Sequence, residues 1–533
     1  MTNIKSIPKF LLLLVAVILV ATAFSKFESR DAYSSDSIKE QLDRFNQVFS
    51  YINRYYVEPP DREKVITGAI NGMLSELDPH SVYIPPENME RVTEQFEGEF
   101  EGIGIEFVVL NKVLTVVAPI VGGPSEAVGL LPGDQIVKIE GESAYDIKES
   151  EVQKKLRGKK GTKVKVTIHR PGQSDQFDVT ITRDKIPIYS VMAAFLLDDG
   201  ETGYIYLGRF ARTTSQEVED ALDKLEAQGM KQLIFDLRGN SGGYLDQAFE
   251  VADKFIPGGY KIVYTKGRLD NSSQELYSTN RNTHDLYPII VLISNGSASA
   301  SEIVSGAIQD LDRGLVLGQT SFGKGLVQNQ MGLRDGGALR LTVARYYTPS
   351  GRLIQRPYDE GNLVDYYAEA YDDTAAVHKP DSSKQYITLA GRTVYGGGGI
   401  TPDSILTSDK ITRFTNGMRM KRVFFEFGSN WASTHRDSYK DFETFKRGFN
   451  VDDGMIQELK TLLKKHDIEF SQEAYDKDVD YIHLLMKAEV ARHLWDSEHY
   501  YVIRIKGDSE VDHAMDLMHE AERIKSLHAW NSR

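Results

Sequence analysis

Five aliphatic residues in a row, Ile289 to Ile293, run through Asn295-Gly296 into the small residues Ser297-Ala298-Ser299-Ala300-Ser301-Glu302. The apolar run predicts a buried strand and Asn-Gly a tight turn, while Ile303, Ala307 and Ile308 at helical spacing predict a helix that follows at once. Ser299 then sits near a helix N-terminus, where free backbone N–H groups and the positive end of the helix dipole can stabilise an oxyanion. The same texture continues on either side. Strands over Gly203–Leu207, Gln232–Leu237, Pro288–Ile293 and Leu315–Leu317 alternate with helical stretches over Ser215–Ala227, Gln247–Phe255 and Ser301–Leu311. That order predicts an α/β domain between about Pro187 and Ser404, with reactive groups beyond the C-terminal strand ends.

Two loops can meet there. Asp236-Leu237-Arg238-Gly239-Asn240-Ser241-Gly242-Gly243 follows one strand end and Ser299 another, so backbone amides in the glycine-rich loop and that of Ala300 are candidate oxyanion donors. A serine hydroxyl also needs a base. Lys324, in Phe322-Gly323-Lys324-Gly325-Leu326-Val327-Gln328, has apolar neighbours that would desolvate its amine and depress its pKa, and Gln328 can hold that amine without adding a charge. Three competing patterns are weaker. Gly239-Asn240-Ser241-Gly242-Gly243 looks like the nucleophile loop of chymotrypsin-type proteases but lacks the aspartate before Ser241 and stands in α/β context. Gly318 to Lys324 has phosphate-loop spacing, yet Gly325 replaces the magnesium-binding Ser or Thr. The twelve histidines are scattered, and His284 is the one nearest Ser299 in sequence.

Length predicts three or four domains for 533 residues, with ordinary packed cores at 41% hydrophobic content. A net charge of -14 argues against binding nucleic acid, and zero cysteines exclude disulfides, a cysteine nucleophile, zinc-cysteine sites and a lipoprotein anchor. Lys5 and Lys9 precede an apolar segment, Phe10 to Val20, that ends in Ala21-Thr22-Ala23. Residues 1–23 therefore read as an export signal cleaved after Ala23 or, uncleaved, as a single anchor, although the segment is short of the roughly 20 residues of a bilayer span. The expected location is periplasmic, soluble after cleavage or held at the inner membrane.

Residues 37–97 are expected to be mainly helical, with Leu42, Phe45, Val48, Phe49, Ile52 and Tyr56 at three- and four-residue steps and a break at Pro59-Pro60. A dimerisation arm and a cap on the core are both open readings of this region. From 98 to 184, Gly102-Ile103-Gly104-Ile105, the turn Leu131-Pro132-Gly133-Asp134 and the helix Glu149–Leu156 resemble a PDZ domain. That resemblance implies that Gly102, Ile103, Gly104 and Ile105 present amides to a peptide's C-terminal carboxylate while the peptide adds a strand to the sheet. Residues 358–383, acidic and rich in tyrosine, read as a solvated surface insertion, with a substrate-facing lid as the alternative. Residues 409–533 are mainly helical, and bracing the core, oligomerisation and partner binding stay open for them.

Leu77-Asp78-Pro79-His80-Ser81-Val82-Tyr83, Gly102 to Phe107, Leu237 to Gly243, Ser297 to Glu302, Phe322 to Gln328 and Tyr347-Thr348-Pro349-Ser350-Gly351-Arg352 occur in an order similar to that of the C-terminal processing peptidases, or tail-specific proteases. The resemblance covers roughly residues 37 to 405 and is closest to bacterial members. It implies a multidomain α/β protein: helical N-terminal region, mostly β PDZ domain, ClpP/crotonase-like α/β core over 185–408 and mainly helical C-terminal region. It further implies Ser299 as nucleophile, Lys324 as general base, Gln328 as the lysine's partner, and Gly242 or Gly243 with Ala300 as oxyanion hole. Glu302 matches a family position, with helix stabilisation as its other reading. Ser241 stands where many members carry proline. The expected substrates are proteins with accessible apolar C-terminal tails; an activating adaptor and homo-oligomers are further expectations, and no metal or organic cofactor is implied. An inactive tail-binding scaffold, or an esterase or amidase on the same core, are the alternatives.

Overall fold

The computed structural model describes residues 37–110, 112–120, 122–281, 284–358, 366–368, 383–406 and 411–527. The expected signal segment 1–23 and most of the insertion 358–383 lie outside these residues. The chain forms two compact units divided between Leu77 and Asp78. In the first, a helix spans 37–55 and a second spans Arg62–Ser75, where the Asp61 side chain accepts from the Lys64 amide. Leu42, Phe45 and Val48 on the first helix are exposed. Among the described residues, no helix is long and apolar enough to cross a membrane.

The second unit is built round a six-stranded sheet in the order Val191–Leu196, Thr202–Leu207, Gln232–Asp236, Ile289–Ile293, Leu315–Gly318 and Ser404–Ile405. The first pair is antiparallel and the rest are parallel. A parallel sheet is covered on both faces, which is why Ile289–Ile293 is apolar without alternation. Ile289, Val291 and Ile293 pack with Leu233, Phe235 and the helices Thr214–Ala227, Leu245–Phe255 and Ala300–Asp310. Ile290 and Leu292 face the other way, with Ile234 and Leu317, against Val511, Ala514, Met518, Ala521 and Ile524. Those last residues lie on the helices Ser509–Asp516 and Met518–Lys525, so the end of the C-terminal region braces the six-stranded sheet.

The rest of the C-terminal region has its own aromatic core, including Phe427, Trp431, Phe445 and Phe449. Within it, the helices Gln472–Lys477 and Val479–Leu494 are separated by a break at Asp478. The Asp478 carboxylate accepts from the Thr412 amide and hydroxyl, tying the break to the start of the helical region.

A second sheet, antiparallel, carries Val82–Ile84, Ala338–Tyr347, Lys261–Gly267 and Gln274–Tyr277 in that order, with Leu326–Gly332 also paired to Ala338–Tyr347. The segment resembling a PDZ domain forms an antiparallel sheet ordered Ile105–Leu110, Val113–Pro119, Gln135–Ile139, Lys163–His169, Phe177–Thr182, with Glu142–Ser143 on the third strand. Glu149–Leu156 packs on it through Val152 and Leu156. Ile105–Leu110 is an edge strand.

Candidate active site

Ser299 is the N-cap of the helix Ala300–Asp310 and sits at φ +55°, ψ −109°. A positive φ is costly for a residue with a Cβ, of order 1–3 kcal/mol, so the surroundings must hold it. They do so from both sides. The Ser299 amide donates to Glu302 Oε2 at 2.7 Å, and its carbonyl accepts from the Glu302 and Ile303 amides and from the Tyr346 hydroxyl. Gly242 approaches so closely that a Cβ there would lie 2.6 Å from the Ala298 carbonyl oxygen and 2.9 Å from Ser299 Cβ. Only glycine fits at φ +96° in that space.

Lys324 lines the same cleft of about 800 Å³ as Ser299, with Gly242, Gly243, Gln328 and His80. Its Nζ donates to Gln328 Oε1 at 3.0 Å. Burial, and then the charge of Arg340, lower its pKa to about 8, while Glu302 and Asp78 oppose the shift. Gln328 Nε2 donates to the His80 carbonyl. His80 is itself pushed down to about 4 by burial and by Lys324, so it is neutral at physiological pH. Among the described residues, Ser299 Oγ and Lys324 Nζ make no hydrogen bond to each other; catalytic hydrogen bonds are often long before substrate binds.

Glu302 joins the two loops. Its buried carboxylate accepts from the amides of Ser299, Gly323 and Lys324 and from the Ser321 hydroxyl, at 2.5 to 2.9 Å. Burial pushes its pKa up, and those donors pull it back. Tyr346 adds a second tie, its hydroxyl lying 3.0 Å from the Ser299 carbonyl oxygen and 2.7 Å from that of Lys324. Neither tie is visible as local spacing, although the Ser-x-x-Glu pattern hinted at the Glu302 contact with Ser299.

The oxyanion expectation narrows. The Gly242 amide donates to Asn240 Oδ1 at 2.9 Å and is already taken. The amides of Gly243 and Ala300 donate to no acceptor among the described residues. Asn240 organises this loop, since its carbonyl also accepts from the Ala298 amide and the Ser301 hydroxyl. The phosphate-loop pattern has no anion site: the amides of Gly323 and Lys324 point at the Glu302 carboxylate and that of Gly325 at Gln355. His284 is bound to Glu226 at 2.9 Å and does not line the cleft, whereas Ser241 lines it as an exposed loop residue.

Two described residues of the insertion reach the cleft. Tyr366 is buried with Phe322 and Ala298 at the cleft rather than solvated, and Tyr367 lines the cleft. Their rings pack on Phe322 and His80 because the aromatic pair has an apolar body to bury and a hydroxyl with partners. In the PDZ-like segment, Gly104 adopts φ +70°, and the Ile103 carbonyl accepts from the Ser125 amide and hydroxyl. The amides of Ile103 and Gly104 have no acceptor among the described residues.

Over 353 residues this chain is 40% identical to a carboxy-terminal-processing protease of Bartonella bacilliformis, covering 66% of this chain and 80% of that one. The chain belongs to the carboxy-terminal processing proteases. A second member of this protease family, carboxy-terminal processing protease CtpA of Bacillus subtilis, is 34% identical over 391 residues, 72% of this chain and 82% of the relative. The profile of peptidase family S41 matches residues 201–361, that of a PDZ domain 102–181, and that of the activating protease CtpB N-terminal domain 20–88. Residues 414–496 match a family of unknown function, DUF8443. Among solved structures, a photosystem II D1 C-terminal processing protease is 30% identical, with 58% of this chain and 82% of that chain covered at a TM-score of 0.32. In this carboxy-terminal processing protease, the contributions of Tyr346, Arg340, His80 and Tyr366 escaped sequence reasoning because each comes from a distant segment.

Proposed function

We propose that this protease is a serine endopeptidase with Ser299 as nucleophile and Lys324 as general base. In this reading the neutral Lys324 amine takes the Ser299 hydroxyl proton as Oγ attacks the scissile carbonyl. The tetrahedral oxyanion is received by the amides of Gly243 and Ala300, and collapse expels the amine of the C-terminal fragment, protonated by Lys324. Water, activated by the same lysine, then releases the acyl-enzyme. The observation that carries this reading is a buried lysine whose pKa is lowered to about 8, in one cleft with a serine held at a helix N-terminus.

The PDZ domain would supply the tail specificity. The unengaged amides of Ile103 and Gly104 would take the terminal carboxylate, and the edge strand Ile105–Leu110 would pair with the tail. Tethering of the tail raises the local concentration of the upstream peptide bond at the cleft. Export by residues 1–23, to a periplasmic or membrane-anchored location, and homo-oligomers belong to the same proposal.

Mass spectrometry tests the mechanism with an unstructured protein carrying an apolar C-terminal tail, incubated with the wild type, Ser299→Ala and Lys324→Ala. Tail-dependent cleavage lost in both variants supports the serine-lysine reading. Cleavage that persists in both places the nucleophile elsewhere.

A further inference from the structure

Gln328 can serve Lys324 only if its amide faces the right way. One end of that amide donates and the other accepts, so its orientation is set by whichever partner can do only one of these. The His80 carbonyl is such a partner: it accepts from Gln328 Nε2 and thereby leaves Oε1 for Lys324 Nζ. The orientation of the lysine's partner thus depends on where the His80 carbonyl is held.

That carbonyl lies in a turn anchored from two sides. On one, Asp78 Oδ1 accepts from the amides of His80 and Ser81 at 2.8 and 2.9 Å, Asp78 Oδ2 from the Ser81 hydroxyl at 2.7 Å, and Ser81 Oγ from the Thr342 amide at 3.1 Å. On the other side stand two residues of the insertion. The Tyr367 hydroxyl donates to the Pro79 carbonyl at 3.2 Å, and the Tyr366 hydroxyl meets His80 Nε2 at 3.0 Å. Gln355 Nε2 donates to the Tyr366 oxygen at 3.3 Å, which leaves the phenol proton for His80. Gln355 Oε1 in turn accepts from the Gly325 amide, next to the lysine. Both ends of the Lys324–Gln328 segment therefore connect to one tyrosine.

We propose that Tyr366 and Tyr367 are positioning residues for the general base: they latch the Pro79–His80 turn so that the His80 carbonyl fixes the Gln328 amide toward Lys324. The proposal rests on the serine-lysine reading. It assigns the tyrosine pair of the insertion a part in turnover that its acidic, polar surroundings in sequence conceal.

The test compares kcat, KM and the pH profile on one tailed substrate for the wild type, the double variant Tyr366→Phe/Tyr367→Phe, Gln328→Ala and the combination of all three changes. The phenylalanines keep the rings on Phe322 and His80 and remove only the hydroxyls. Loss of an orienting contact to the reacting groups predicts a kcat lower by roughly tenfold with KM nearly unchanged. It also predicts an acid limb moved to lower pH, because Lys324 loses an acceptor that favours its ammonium form, while Arg340, Glu302, Asp78 and His80 remain around it. In the Gln328→Ala background the phenylalanines should add nothing, since they act through Gln328. Equal kcat losses in both backgrounds overturn the proposal. So does a rise in KM with an unmoved pH profile, which would make the tyrosines part of the substrate pocket, or a lower Tm with kcat intact. An active Lys324→Ala would instead remove the serine-lysine reading itself.

Discussion

Glu302 has no contact that a water molecule could replace, because its carboxylate is buried and four donors from two loops converge on it. Glu302→Gln keeps the shape but turns one acceptor end into a donor, leaving buried N–H groups facing N–H groups. Denaturant unfolding should show a loss of about 2–3 kcal/mol, and peptidase activity should fall with it as the serine turn and the lysine loop part. At Lys324 the prediction concerns pH. In the proposed mechanism only the neutral amine accepts the Ser299 proton, so kcat/KM should rise with pH as the amine deprotonates near 8. Gln328→Glu places an anion beside the ammonium form and should move that limb to higher pH by roughly one unit or more. That Ser299, Lys324 and Gln328 could share one cleft was legible, because the serine follows a strand end and the lysine and glutamine lie four apart in an apolar loop. Tyr346 and the His80 carbonyl were not, since their partners are set by the pairing of strands far apart in sequence.

At the scale of elements, strands and helices of the catalytic core follow from periodicity, and their observed limits differ from the expected ones by a residue or two: Gln232–Asp236 against Gln232–Leu237, and Ala300–Asp310 against Ser301–Leu311. The hairpin of Leu326–Gly332 with Ala338–Tyr347 gave less warning, since its polar outer residues do not alternate with a strong apolar face. The role of the last helices was hidden for a different reason. Ile290 and Leu292 demand a cover, but nothing in a strand says which segment supplies it. Ser509–Asp516 and Met518–Lys525 do so, and Asp508 and Glu510, at the start of the first of these helices, join Asp236 in binding Arg238, two residues before Asn240. Asp508→Asn should lower stability by about 1–3 kcal/mol in thermal or denaturant unfolding. Peptidase activity should decline further than folding alone accounts for, as Arg238 loses a carboxylate that steadies the loop.

For the whole molecule, the proposed function assigns capture and cutting to separate parts of the chain, an edge strand in the PDZ domain and a cleft in the S41 core. A substrate with its terminal carboxyl amidated should therefore be cut at the same bond but with kcat/KM lower by roughly 10- to 100-fold, the worth of a hydrogen bond to a charged group. An equal rate on both substrates would separate tail capture from the PDZ domain. The order of domains was readable because each has its own texture, glycines between apolar residues in one and alternating strands and helices in the other. The closure of the catalytic sheet was not, because it joins residues more than two hundred positions apart. That closure has a consequence in time. A chain under synthesis that has reached Leu406 already holds Ser299, Lys324 and Gln328, yet one face of its central sheet still lacks the residues 509–525 that cover it. The ribosome thus delivers these cleft residues before the helices that cover the sheet beneath them.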